Sequence, residues 1–261
     1  MIEMNKIYNT DCIGKKGMVL IPDNSIDMIL CDLPYGTTQN KWDFIIDPIK
    51  MWVQYERIIK ENGAIILTAA QPFTSLLVMS NLKLFRYDLT WDKVKISGFL
   101  NSSKMPLRQH EDILIFYKKL PVYNPQKIYA VNIKKPGKSK KTSSNYGNYK
   151  NDLKKSFDGE RFPTSIISIS NWNRVIFGSD YENGRSTHPT QKPVDLFRYL
   201  IKTYSNEGDT ILDNCMGSGT TAIACLMENR NYIGFENDKE HDYYNKSLER
   251  IKQYQSQTKL F

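Results

Sequence analysis

The feature that most constrains this sequence is a glycine turn between a short apolar strand and a helix. Residues 210–212 form the predicted strand and residues 219–229 the predicted helix. Between them, Asp213 is followed by Gly217 and Gly219, which permit a tight turn and a close approach of the backbone to a ligand. This order of elements predicts a βα unit of a parallel sheet with a ligand at the turn.

The acidic residue Glu236 favours a nucleoside-containing ligand at this turn. It ends the next predicted strand, residues 232–235, at about the distance from the glycines where a carboxylate accepts hydrogen bonds from ribose hydroxyls. A P-loop would carry lysine after its last glycine, but Thr220 and Thr221 stand there, which disfavours ATP hydrolysis. A dinucleotide such as NAD stays open, because Ala222 is tolerated at the third glycine position.

The rest of the chain alternates apolar strands with amphipathic helices. The predicted helix at 48–60 begins at Pro48, ends at Asn62-Gly63 and has apolar residues at helical spacing, namely Ile49, Trp52, Val53, Ile58 and Ile59. Two late strands follow each other without a helix, so the fold class is α/β, with a mostly parallel twisted sheet and an antiparallel edge hairpin. The predicted strands are 27–31, 64–70, 86–91, 112–117, 210–212 and 232–235, and the helices are 48–60, 72–82, 195–204, 219–229 and 240–254.

A basic segment interrupts this pattern. Residues 126–161 contain ten Lys or Arg against three Asp or Glu, a net charge of +7, while the whole chain carries +8. Aromatic residues such as Tyr146 and Tyr149 lie among the lysines. One interpretation is a solvated lysine-rich loop, and the other is an insertion whose lysines neutralise phosphates while its aromatics stack or pack. The sequence of this segment alone does not separate the two.

The cysteines and the amino terminus exclude some other classes of protein. The four cysteines have no Cys-x-x-Cys spacing and the chain has only three histidines, which argues against a zinc site. Scattered cysteines in apolar runs are typical of reduced core residues in a cytosolic protein. We find no signal peptide and no apolar run of membrane-spanning length, so a cytoplasmic protein without a membrane partner is expected.

A second motif, Asp32-Leu33-Pro34-Tyr35, follows the buried strand at 27–31, where open α/β sheets bind ligands. Alone it is compatible with an ordinary turn at the end of a strand. It resembles the Asp-Pro-Pro-Tyr motif of the DNA methyltransferases that methylate exocyclic amines. The glycine turn resembles their S-adenosylmethionine loop, and the segment His188-Pro-Thr190-Gln-Lys192-Pro193 resembles the segment preceding that loop in the β class. The order of the motifs is that of the β class, and the resemblance extends from about Ile7 to Ile251 without the region 121–185.

The resemblance implies a three-layer, Rossmann-like methyltransferase fold, S-adenosylmethionine as cofactor and a set of site residues. The Asp32 carboxylate and the Leu33 carbonyl would grip the amine, and Tyr35 would stack on the base; leucine replaces the usual proline at position 33, which removes its fixed φ angle. The residues expected to bind the cofactor are Asp11, Asp32, Lys192, Asp213, Gly217, Gly219, Thr220, Thr221 and Glu236.

The function predicted from the resemblance is methylation of adenine N6 in duplex DNA after base flipping, as in restriction–modification systems of prokaryotes or viruses. The cytosine N4 branch more often has serine at the position of Asp32, so cytosine N4 methylation is the first alternative. A non-catalytic DNA-binding relative is the second, and the motif order disfavours a protein glutamine methyltransferase. Residues 1–120 would be the catalytic part, 121–185 a target-recognition insertion and 186–261 the cofactor part. Homodimer formation is left open.

Overall fold

The computed structural model describes residues 2–36, 43–129, 160–171, 181–182, 185–186, 191–237 and 240–258. The chain divides into two compact units. Unit 1 comprises Met1–Asn124 and Ser165–Phe261, and unit 2 comprises Pro125–Thr164. Much of the predicted insertion, including all five lysines between residues 134 and 141, lies outside the described residues. The predicted division at 121 and 185 therefore stays a prediction.

The elements alternate along the chain as the pattern predicts. The strands are β1 (Lys6–Asn9), β2 (Ile26–Asp32), β3 (Ile59–Ala69), β4 (Phe85–Ser97), β5 (Arg108–Phe116), β6 (Ile128–Tyr129), β7 (Glu160–Arg161), β8 (Ile166–Ser168), β9 (Tyr181–Glu182), β10 (Arg185–Ser186), β11 (Thr210–Asp213) and β12 (Asn231–Glu236). The helices are α1 (Pro48–Ile58), α2 (Phe73–Ser80), α3 (Val194–Tyr204), α4 (Thr220–Met227) and α5 (Tyr243–Thr258). None of the helices described is long and apolar enough to cross a membrane.

Unit 1 contains one eight-stranded sheet in the order β1-β12-β11-β2-β3-β5-β4-β8. The five strands from β1 to β3 are mutually parallel, and β5 is antiparallel to both β3 and β4. The predicted α/β class with an antiparallel hairpin is confirmed. The short strand β8 adds to β4 in parallel, so it covers part of the edge that the hairpin was expected to form. In unit 2, β6 pairs with β7.

The core lies on both faces of this sheet. In β2, Met28 and Leu30 belong to the apolar cluster that contains α3, α4 and α5, whereas Ile29 and Cys31 belong to the cluster that contains α1 and α2. Side chains alternate between the two faces of a strand, so a strand covered by helices on both faces must be apolar throughout. The continuous apolar run at 27–31 is explained by this three-layer arrangement.

Helix α1 differs from its prediction in its buried face and in its end. It begins after Asp47, whose side chain accepts hydrogen bonds from the first turn, and it ends at Ile58. Its buried residues are Met51, Trp52, Tyr55 and Ile58, while Ile49 is 77% and Val53 59% exposed. Trp52 and Ile58 are buried as the apolar spacing predicts, whereas Ile49 and Val53 are exposed and the helix ends before the predicted Asn62-Gly63.

The position of Gly63 explains why the sequence predicted the end of α1 beyond Ile58. It lies inside β3, where an added Cβ would come within 2.8 Å of the Asp27 carbonyl oxygen. The register between β2 and β3 shifts in this region. Asn62-Gly63 therefore lies at an irregular strand pairing where two backbones come close together. In the sequence, a glycine in this role looks the same as a glycine that ends a helix.

Candidate active site

The parallel strands bring their carboxyl ends to one edge of the sheet, called here the carboxyl edge. Asp32 ends β2, Asp213 ends β11 and Glu236 ends β12. A cavity of about 580 Å³ opens at this edge. It is lined by eleven of the twelve predicted site residues, namely Asp11, Asp32, Leu33, Pro34, Tyr35, Lys192, Asp213, Gly217, Thr220, Thr221 and Glu236.

The glycine turn is held by Asp213. Gly217 and Gly219 have φ angles of +51° and +81°, which glycine adopts without strain, and α4 begins directly after Gly219. The Asp213 carboxylate accepts hydrogen bonds from the Cys215 backbone N–H at 3.0 Å and from the Thr221 hydroxyl. Burial raises the pKa of Asp213 to about 6. Both oxygens are engaged by the turn itself, so Asp213 shapes the loop.

Glu236 lies beside the glycine turn and lines the same cavity. One of its oxygens accepts a hydrogen bond from the Gly217 backbone N–H at 2.6 Å, and the other accepts one from the Asn237 N–H at 3.0 Å. Glu236 therefore fixes the turn and also lines the cavity.

The Asp32 end of the cavity contains a dense hydrogen-bond network. Asp32 accepts hydrogen bonds from the hydroxyls of Thr68 and Tyr35, the latter at 3.0 Å, and forms an ion pair with Lys192 at 2.7 Å. Burial alone would lower the pKa of Lys192, but Asp32 and Glu111 raise it well above its usual value. Lys192 is therefore a buried ammonium.

The ring of Tyr35 is fixed by stacking. Its centroid lies 5.3 Å from that of Phe73, with 23° between the ring planes. Burial raises the pKa of Tyr35 well above its usual value, and the charge of Asp32 adds to this effect. The hydroxyl therefore stays protonated at neutral pH and donates to the network around Asp32.

The family model described as DNA methylase, of the N6/N4 methyltransferase type, matches residues 26–247. The chain belongs to this family. Among curated relatives, Type II methyltransferase M2.MboI of Moraxella bovis is 29% identical over 260 residues, which cover 90% of this chain and 83% of the relative. DNA adenine methyltransferase YhdJ of Escherichia coli (strain K12) is 26% identical over 255 residues, which cover 92% of this chain and 80% of the relative.

Two solved structures have the fold of this DNA methylase. The M1.HpyAVI–SAM complex has a TM-score of 0.59 at 21% identity and covers 94% of this chain and 98% of that chain. PvuII DNA methyltransferase, described as cytosine-N4-specific, has a TM-score of 0.64 at 14% identity and covers 98% and 93%. These likenesses show that the Rossmann-like methyltransferase fold predicted from the motifs is correct.

Glu111 belongs to the hydrogen-bond network around Asp32 but was not predicted from the sequence. Glu111, on β5, lies 3.3 Å from Lys192 through one carboxylate oxygen and 3.3 Å from the buried Lys93 through the other. The Tyr35 hydroxyl is 3.4 Å from Glu111. The available signal was an acidic residue just before the apolar run 113–116, because an antiparallel strand begins at the edge where its parallel neighbours end.

The remaining predicted residues differ in burial and in the contacts that their side chains make. The Asp11 side chain accepts a hydrogen bond from the Ile13 N–H at 2.9 Å and lines the cavity. Thr220 and Thr221 are buried, and the Thr220 hydroxyl accepts a hydrogen bond from Arg250 at 3.1 Å. Their hydroxyls therefore serve internal contacts. His188 and Thr190 of the third motif lie outside the described residues.

Proposed function

We propose that this chain transfers the methyl group of S-adenosylmethionine to adenine N6 in duplex DNA, with Asp32 gripping the amine. The observation that carries the proposal is that Asp32 and Glu236 line one cavity of about 580 Å³ at the carboxyl edge. One end offers acceptors for an amine, and the other offers acceptors for ribose hydroxyls. Membership in the DNA methylase family agrees with both assignments.

The residues at the glycine turn suit S-adenosylmethionine. The cavity volume lies within the range of about 300–1,000 Å³ that is usual for ligand sites. We assign the ribose hydroxyls to Glu236 and place the amino acid part near the turn that Asp213 and Gly217 shape. When bound, the cofactor supplies an activated methyl group on its sulfonium. The M1.HpyAVI structure with the same fold is a complex with SAM, which supports the choice of cofactor.

The chemistry assigned to the Asp32 motif addresses a weak nucleophile. The exocyclic amine of adenine delocalises its lone pair into the ring, so two acceptors on its N–H groups are needed to orient that pair. We assign the first acceptor to the Asp32 carboxylate and the second to the backbone carbonyl of Leu33. The Leu33 side chain is packed in the core, so its backbone is the part that remains for the base. The Lys192 ammonium forms a charge-assisted hydrogen bond with the Asp32 carboxylate and so holds it in place at the cavity.

Charge and steric access support DNA as the substrate and the insertion as the region that recognises it. The amine edge lies inside the duplex, so the target base must leave the stack before it reaches Asp32. The net charge of +8 attracts the phosphate backbone. Residues 121–185, which include most of this positive charge, are assigned to target recognition.

Adenine rather than cytosine is supported by the aspartate at position 32 and by the similarity to an adenine methyltransferase over 92% of this chain. Incubation with DNA and labelled S-adenosylmethionine, followed by digestion and mass spectrometry of the nucleosides, tests the assignment. N6-methyladenine is the expected product. N4-methylcytosine would move the chain to the cytosine branch, and an unlabelled digest would contradict the enzymatic function.

A further inference from the structure

The hairpin that joins β4 to β5 presents an unusual group of exposed apolar side chains. Leu100 is 97% exposed and Phe99 63%, and both lie in a one-turn 3₁₀ helix at the tip. Val94, Ile96 and Met105 are exposed on the same hairpin. Contiguous apolar groups on a surface mark interaction sites, because leaving them in water is unfavourable. We define residues 94–107 as the hairpin tip.

The hairpin tip extends from the carboxyl edge. Strand β5 is antiparallel to β3 and to β4, so β4 runs in the direction of β3 and ends at the same edge as β2 and β3. At the base of the hairpin, Glu111 lies 3.3 Å from Lys192, the partner of Asp32. The exposed apolar residues therefore belong to the structural element that leaves the sheet beside the proposed catalytic carboxylate.

The charge of the hairpin indicates what kind of partner it binds. Residues 93–108 contain Lys93, Lys95, Lys104 and Arg108 but no Asp or Glu. Lys93 is buried against Glu111, whereas Lys95, Lys104 and Arg108 are exposed. Apolar side chains flanked by cations fit a polyanion with an apolar interior, and stacked base pairs between two phosphate backbones have this composition.

We propose that Phe99 and Leu100 insert between base pairs of the DNA beside the target base, while Lys95 and Lys104 contact the flanking phosphates. This inference rests on the proposed function, since it assigns the hairpin a task in base flipping. An inserted side chain compensates for stacking that is lost when a base leaves the helix. A second copy of the chain is a poorer occupant, because two hairpins of like charge repel each other.

The test compares two double variants on a duplex that the wild-type protein methylates. Phe99→Ser/Leu100→Ser removes the apolar tip, and Met79→Ser/Leu82→Ser is the matched control. Met79 and Leu82 are also exposed, but Leu82 precedes β4 at the opposite edge of the sheet. The tip variant is expected to raise the dissociation constant about tenfold, within the range for loss of one side chain that stacks on a base. The control variant is expected to bind as the wild type does.

A duplex with an abasic site opposite the target base distinguishes insertion between base pairs from non-specific apolar contact with DNA. That duplex is already partly unstacked, so the defect of the tip variant should shrink to about threefold or less. Lys95→Gln/Lys104→Gln should instead weaken binding to both duplexes and make the slope of log affinity against log salt shallower by about 1.8, or 0.9 for each phosphate contact. Calorimetry with S-adenosylmethionine should give wild-type affinity for all variants.

Equal dissociation constants for the tip variant and its control on the intact duplex would overturn the inference. A fall in oligomeric mass of the tip variant in sedimentation would also overturn it, because a second copy would then cover the tip. Failure of the wild type to methylate any duplex contradicts the proposed function itself. Methylation by the wild type together with unchanged binding by the tip variant contradicts the insertion alone.

Discussion

Lys192 and Asp32 are 160 positions apart in the chain, and their side chains form an ion pair of 2.7 Å at the carboxyl edge. Asp32 belongs to the amino-terminal motif, and Lys192 precedes the helix that leads to the glycine turn. The pair therefore ties the proposed catalytic half of the cavity to the proposed cofactor half. Glu111 also contacts the Lys192 ammonium, so two strands and one loop meet at this point.

Asp32→Ala is expected to abolish methyl transfer and to leave S-adenosylmethionine binding largely intact, with only the modest weakening that follows from losing the cofactor contact assigned to Asp32 by the resemblance. The carboxylate is the assigned acceptor for the amine, and loss of one positioned hydrogen-bond group typically lowers kcat by about 100-fold or more. Single-turnover transfer of labelled methyl to DNA and calorimetry with the cofactor measure the two effects. The exposed Asp88→Ala is the control, and wild-type turnover by Asp32→Ala would remove the residue from the mechanism.

Lys192→Met should lower the free energy of unfolding at neutral pH by about 2 kcal/mol. Breaking a fully buried pair costs about 3–5 kcal/mol, and the Asp32 side chain is 23% exposed, which reduces the effect. Urea unfolding measures the difference, with the exposed Lys202→Met as the control. The double variant Lys192→Met/Asp32→Asn should lose less than the sum of the single variants, because the two residues share one interaction. Strict additivity would contradict the pairing.

The raised pKa of Lys192 also sets the direction of a pH effect. A lysine whose folded pKa lies above its unfolded value contributes its full stability below about pH 10.4 and loses it as the pH rises through the folded value. The stability advantage of the wild type over Lys192→Met should therefore shrink only in strongly alkaline solution.

The sequence predicted those parts of the fold that depend on local pattern. Strand β2 is buried on both faces, and this produces an apolar run that is visible without the structure. The buried face of α1 depends on Met51 and Tyr55 packing against the sheet, which periodicity did not distinguish from the exposed Ile49 and Val53. Strand β1 was not predicted, because only Ile7 is buried in its four residues.

The site was predictable where its residues stand in motifs and not where they meet through topology. Asp32, Asp213 and Glu236 each end a parallel strand, so their common edge follows from the fold. Glu111 reaches Tyr35 across 76 positions through the antiparallel return of β5, and no local spacing signals that contact. The pairing of Lys192 with Asp32, rather than with the glycine turn alone, likewise required the three-dimensional arrangement.

Asp213→Asn should remove a specific pH dependence of stability. Burial raises the pKa of Asp213 to about 6, above the ordinary value of about 3.9. The folded state then holds the proton more tightly, so this group favours folding most at low pH, and its contribution falls by about 2–3 kcal/mol as the pH rises from about 4 to 6. Urea unfolding across this range should show the gap between wild type and variant changing by that amount. A constant gap would contradict the buried acid.

Glu236→Ala should weaken S-adenosylmethionine binding by about 1.5–3 kcal/mol, the contribution of hydrogen bonds to a charged group. Glu236→Gln keeps an oxygen acceptor for the Gly217 N–H and should lose less, which separates the ribose contact from support of the turn. Isothermal calorimetry gives both affinities, and the exposed Glu249→Gln serves as the control. If Glu236→Ala binds the cofactor as tightly as the wild type, the ribose assignment fails.

Gly219→Ala and Gly208→Ala form a matched pair that isolates close packing at the glycine turn. Both glycines have nearly the same left-handed conformation, with φ of +81° and +82°, so each alanine should cost about 1–2 kcal/mol of stability from backbone strain. A Cβ at Gly208 would meet nothing within 4 Å, whereas one at Gly219 would lie 3.2 Å from the Cβ of Ser247 on α5.

At this distance either Ser247 or the turn must give by a few tenths of an ångström, and a shift of the turn would displace Gly217 from Glu236. Gly219→Ala should therefore lose more stability than Gly208→Ala in urea unfolding, and it alone should weaken S-adenosylmethionine binding by calorimetry. Equal losses for the two variants, with unchanged cofactor affinity, would mean that the contact with Ser247 relaxes without moving the site.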